Sequence, residues 1–234
     1  MLSSFRPSSD SADTPEVATY KALRSASKSW AEKLSQHPAS KSFDLLKAAR
    51  KLGISVEDRT IIFEAEFEMA VMMDHYLLDY RPDGKSLAES ATFAPGELAP
   101  LVSTFHEACL ASRTSLYLIT AVQEKHPQIL LRDRLRPDEP ELWLTDIALA
   151  ATVHDIGGQV LIFTRVVSAQ GLHFTGGFSF VFDPKNESAI LDSYRRAQWA
   201  IPAKRHDEHR ISFFLGMNRR IGLEQGFADV QPPS

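Results

Sequence analysis

The spacing of apolar residues along this chain changes period once and then changes back. From Ser115 to Asp183, β-branched and aromatic residues gather in short runs, and Phe174, Phe178, Phe180 and Phe182 fall at even spacing. Side chains alternate across a strand with period two, so this pattern builds strands and does not line one face of a helix. Five segments carry it: Leu116–Val122, Ile129–Leu135, Leu142–Leu149, Gln159–Val167 and Leu172–Phe182. The links between them are short, whereas a parallel crossover needs a dozen residues or more, so the strands are expected to be antiparallel, as an open sheet or a small barrel.

The flanks have helical spacing. Thr14-Pro15 opens one helix, Gly53 closes a second that begins near Ser40, and a third is expected from Val56 to Tyr80, ending at the Pro82-Asp83-Gly84 turn. In a fourth, Leu98, Leu101, Val102, Phe105, Ala108 and Cys109 share one face. After Asn186 the pattern returns to helix, breaks at Pro202 and resumes to about Ile221, with Ile211, Phe214 and Leu215 on one side. The fold class is therefore α+β. Residues 1–14 read as a disordered tail, 15–112 as a helical region, 113–183 as an antiparallel β-module, 184–222 as C-terminal helices and 223–234 as a frayed end.

Composition narrows the setting. Cys109 is the only cysteine in 234 residues, which rules out an intrachain disulfide or a Cys-based zinc knuckle and suits a cytoplasmic protein. The most apolar stretch, Met69–Leu78, is interrupted by Asp74 and His75 and is too short to span a membrane. A net charge of −4 argues against a protein built mainly to grip a phosphate backbone, although the C-terminal end is locally basic.

Four groups of residues invite a chemical reading. His154-Asp155 resembles the adjacent His and Asp with which HD-type phosphohydrolases hold catalytic metal ions, with His106 or His126 upstream and Asp183 or Asp192 downstream to complete the set. The run Val160–Val167 that follows at once disfavours the helix such a site requires, so residues 154–158 are expected to form a turn between strands. On the expected third helix, Glu57, Glu64, Glu68, His75 and Asp79 share a face, which reads as a solvated or interdomain stripe because charge usually marks the wet side of an amphipathic helix. Arg132, Arg134 and Arg136 alternate along a strand and are the candidate binding residues for a small anion or an acidic partner protein. Arg195-Arg196, Lys204-Arg205-His206 and His209-Arg210 make a basic segment near Tyr194, Trp199, Phe213 and Phe214, a mixture that also occurs in single-stranded nucleic-acid binders. The Phe residues are expected in the core. No nucleophile elbow, phosphate loop or dinucleotide fingerprint is present, so no catalytic residue, metal ligand or cofactor is assigned; Gly176-Gly177 fits a strand bulge.

Two stretches carry a resemblance: Asp74–Tyr80 followed by Asp83–Leu87, and the order Arg113–Tyr117, Leu131-Arg132-Asp133, Gly158–Leu161 leading to Arg165. They resemble bacterial proteins related to the N-terminal part of some SEC-C-motif proteins. The resemblance covers about half the chain and implies helices followed by a small β-module. It brings no catalytic residues, and the cysteines of the SEC-C tail are absent here. The expectation is a non-enzymatic interaction or ligand-binding module, with a metal phosphohydrolase at His154 and Asp155 and nucleic-acid binding through the basic segment as alternatives.

Overall fold

The computed structural model describes residues 13–123, 126–156, 159–202 and 206–223. It is an α+β fold in which a five-stranded antiparallel sheet is flanked in sequence by helices on both sides. The sheet has the strands β3 (Arg113–Val122), β4 (Gln128–Asp133), β5 (Leu142–Thr145), β6 (Leu161–Ala169) and β7 (Leu172–Phe182), in the order β5-β4-β3-β6-β7. Cα atoms of the two edge strands, β5 and β7, come within 8 Å of each other. The sheet therefore curls most of the way into a barrel. Beside the seam, Thr175 Oγ1 donates a hydrogen bond to Asp146.

The alternation read from sequence divides the two faces. Tyr117, Ile119, Ile129, Leu131, Leu144, Ile162 and Val181 pack together with Ala150 and Val153 of α6 (Ile147–Ile156). On the other face Leu116, Leu161, Phe163, Phe180 and Phe182 meet Val71 and Met72 of α3 (Phe67–Leu78) and Ile211, Phe214 and Leu215 of α8 (His206–Ile221). Phe163 and Phe214 stack with ring centroids 4.1 Å apart. Farther along the sheet, Val167, Ala169 and Phe174 are covered by α1 (Pro15–Gln36) and α5 (Pro100–Ala111).

Local chemistry explains the boundaries. Thr14 caps α1 and Pro15 sits in its first turn. Helix α2 (Leu45–Leu52) is capped by Asp44 and ends at Gly53, whose φ of 79° is left-handed. In the short α4 (Leu87–Ser90), Ser86 and Glu89 form a reciprocal capping box. Helix α7 (Glu187–Trp199) precedes α8.

Two expectations are corrected. The stretch from Val56 to Tyr80 is not one helix: β1 (Ser55–Glu57) and β2 (Thr60–Ile62) form a hairpin before α3 starts. Asp58 and Arg59, with φ of 45° and 66°, make the two-residue turn, and Val56, Ile61 and Ile62 favour extended backbone. His154 and Asp155 do not lie in a turn between strands either; they are in the last turn of α6. Leu142–Leu149 divides at Asp146, whose carboxylate accepts the Leu149 N–H at 3.0 Å and caps the new helix. The alanines that follow favour helix, and the β-branched run begins its strand only at Leu161. Gly157 and Gly158 lie outside the described residues.

Candidate functional site: a buried arginine and the cleft above it

Arg165 occupies the middle of β6 with only 3% of its side chain exposed, on the face that meets the helices. Its Nε donates to both carboxylate oxygens of Asp74, at 3.0 Å each. Its Nη2 reaches Asp74 again and also pairs with Asp79, while Nη1 donates to Ser112 Oγ at 3.3 Å. Asp74 comes from α3 and Asp79 from its C-cap, so one guanidinium ties the helical layer to the sheet. A charge this deep is tolerable only because it is paired and hydrogen-bonded, and removing one partner from such a pair typically costs about 3–5 kcal/mol.

The strand opposite makes room for it. The pairing of β6 with β7 shifts register between Thr164 and Val166, which leaves Gly176 and Gly177 in a bulge. A Cβ on Gly176 would stand 3.0 Å from Arg165 Cβ and 3.1 Å from its Cδ. The bulge expected at the paired glycines is thus present, and its first glycine leaves space for the arginine stem.

Two carboxylates share this single guanidinium, and electrostatics separates them. Burial raises the pKa of both, against the pull of Arg165. Asp79 is pushed up to about 6, with Asp74 and Asp207 adding to burial and Arg81 opposing it. For Arg165, burial works against the charge but the two carboxylates win and raise its pKa. The adjacent His75 is fully buried, with no hydrogen-bond partner at either ring nitrogen; burial, and then the positive charges of Lys51 and Arg165, hold it down at about 3 and therefore neutral.

Asp79 and Arg165 form part of the wall of a polar cleft of about 60 Å³. That is room for roughly four water molecules, the scale of a carboxylate or phosphate group rather than of a nucleotide. Arg81, Arg113 and Arg210 also face it. Arg81 pairs with Glu89, Arg113 with Glu139, and Arg210 with Asp207. Arg210 is further anchored by hydrogen bonds to Thr114 O and Tyr194 Oη, each at 3.0 Å. The cleft walls come from the end of α3, α4, the α5–β3 junction, β6 and the first two turns of α8.

The residues singled out in the sequence are placed elsewhere or differently. Arg132 lies on β4 and pairs with Glu141, whereas Arg134 and Arg136 follow the strand's end. Arg134 pairs with Glu187, and Arg136 with Asp133 and Glu139. The acidic stripe is corrected: Glu57 and Glu64 are exposed outside α3, but Glu68, His75 and Asp79 are buried. Glu68 faces Arg219 of α8 at 2.8 Å. His154, Asp155 and His126 are exposed, and the other proposed companions have other roles. His106 Nδ1 accepts from Trp30 Nε1 at 3.0 Å, Asp183 caps the 3-10 turn Pro184–Asn186, and Asp192 pairs with Arg195. Among the described residues, no three His, Cys, Asp or Glu side chains are grouped so as to hold a metal ion. In the basic segment Tyr194 and Phe214 are buried, Phe213 packs partly buried against them, and Trp199 is 92% exposed; Lys204 and Arg205 lie outside the described residues.

Sequence reasoning missed Arg165 and Asp74 as a pair. The signal was a lone charge inside the β-branched run Val160–Val167, since an arginine in a strand buried on both faces requires a buried acid.

Residues 15–228 match the model of a family of unknown function, DUF7986, and the chain belongs to that family. No curated protein and no solved structure matches it. Among the described residues, no helix is long and apolar enough to cross a membrane.

Proposed function

We propose that this is a cytoplasmic binding module whose cleft beside Arg165 receives a small oxyanion group, free or carried by a partner protein. One observation carries the reading: four guanidinium groups, from Arg81, Arg113, Arg165 and Arg210, face a single cleft sized for such a group. Guanidinium matches the planar or tetrahedral geometry of carboxylate, sulfate and phosphate, and its several N–H donors allow one carboxylate partner and a ligand at once. It keeps its charge throughout the physiological range, which favours holding an anion over transferring protons. Buried Asp74, Ser112 and the packing of α5 against β6 hold Arg165 in place, which makes the site preorganised.

Calorimetric titration of the full chain with sulfate tests this. Arg113→Ala and Arg81→Ala truncate partly exposed residues, so the fold should survive. Each is expected to weaken sulfate binding by about tenfold or more, the usual loss for one charge-assisted hydrogen bond. Unchanged affinity in both variants, or no saturable binding to the wild type at millimolar sulfate, overturns the proposal. Comparing sulfate with a phosphoserine peptide separates the two sources: much tighter binding of the peptide assigns the cleft to a protein partner.

A further inference from the structure

We infer, resting on the cleft reading above, that an oxyanion enters together with one proton, and that Asp79 takes the proton. Arg165 serves two carboxylates, and they are not equivalent. Asp74 lies below the cleft and engages both Nε and Nη2, whereas Asp79 engages only Nη2 and stands in the cleft wall. An anion that reaches Arg165 from the cleft therefore arrives beside Asp79.

Charges of both signs surround Asp79, and burial is what works most against its ionised form. Asp74 approaches from α3 and Asp207 from α8, with Arg165 of β6, Arg81 beyond α3 and Arg210 of α8 opposing them. From α4, Glu89 faces the cleft but is engaged by Arg81 and the Ser86 N–H; at the α5–β3 junction Arg113 is held by Glu139. Burial keeps the Cys109 thiol of α5 protonated, and His75 is neutral, so neither exchanges a proton in the same range. A further anion is repelled by an ionised Asp79. A protonated Asp79 removes that repulsion and offers an O–H donor. Burial together with Asp74 and Asp207 has already brought this carboxyl to about 6, within reach of such a change.

The test uses sulfate, whose charge is constant between about pH 5 and pH 8, in calorimetric titrations repeated in buffers of different ionisation enthalpy. The expected result is uptake of about one proton per sulfate near pH 7.5, with affinity falling about tenfold per pH unit above about 6 and level below it. Asp79→Asn is expected to bind without proton uptake and independently of pH; should that variant fail to fold, the wild-type proton count decides alone. Binding with no proton uptake and constant affinity overturns the inference while leaving the anion site standing, as does uptake that persists in Asp79→Asn. Absence of sulfate binding at every pH overturns the cleft reading and this inference together.

Discussion

Asp79 and His75 are four residues apart at the end of one helix, and burial shifts them in opposite directions. Asp79 has a folded pKa of about 6, above the value of an exposed aspartate, so between pH 4 and 6 the folded chain holds the extra proton. Its stabilising contribution is complete below the unfolded pKa and is lost as pH rises through about 6. His75 has a folded pKa of about 3, below that of an exposed histidine, so its contribution is present above about 6.5 and is lost as pH falls toward 3. From about pH 6 to pH 4 the two slopes oppose each other, and this pair contributes little net pH dependence to stability. Asp79→Asn should make urea stability fall with acid over that interval, and His75→Leu should make it rise. Parallel curves for the two variants would show that these side chains do not carry the opposing shifts. Neither assignment was legible from residue type, because periodicity alone placed both on a wet helix face. The burial of Asp79 follows from a neighbour distant in sequence, the guanidinium on β6 that pairs with it.

At the level of elements, the site depends on an irregularity in one strand. The bulge at Gly176-Gly177 leaves space on β7 for the Arg165 stem, and Gly177 has a φ of 128°, where side chains are strained. Gly176→Ala would place a methyl 3.0 Å from Arg165 Cβ. Overpacking of this kind typically costs about 1–3 kcal/mol, so denaturant unfolding should show a loss of that size, and sulfate affinity should drop as Arg165 shifts. An unchanged midpoint would mean that the neighbouring strand yields freely. Paired glycines inside an even-spaced aromatic run announced the bulge in the sequence. What it accommodates was not visible there, because Arg165 and Gly176 are brought opposite one another by the β6–β7 register. The β1–β2 hairpin shows the converse: Asp58 and Arg59 lack the glycine that usually signals a two-residue turn, so the helical reading ran through them.

Across the whole molecule, the curled sheet is the scaffold on which the helices place their charges. Its seam is closed beside α6 by the hydrogen bond from Thr175 to Asp146, a carboxylate only 6% exposed that also caps that helix. Thr175→Val keeps the shape but removes this donor from the buried carboxylate, which Tyr20 also contacts. The expected cost is about 1–3 kcal/mol in urea unfolding, with faster hydrogen exchange in β5 and α6 than in β6. Uniform protection across the sheet would argue that the seam is held by apolar packing instead.

The sequence by itself determined the α+β class, the number and direction of the five main strands, the two-faced alternation of their core, and the helix ends at Pro15, Gly53, Asn186 and Ile221, since each follows from local periodicity and capping residues. Only the tertiary structure decided that the sheet curls, that α6 interrupts the β-module at His154 and Asp155, and that Arg165 gathers Asp74 and Asp79 beneath an arginine-lined cleft. Those outcomes are set by partners up to 91 residues away in sequence, and the buried charges among them are held against the cost of leaving water by pairing and hydrogen bonding that local periodicity does not encode.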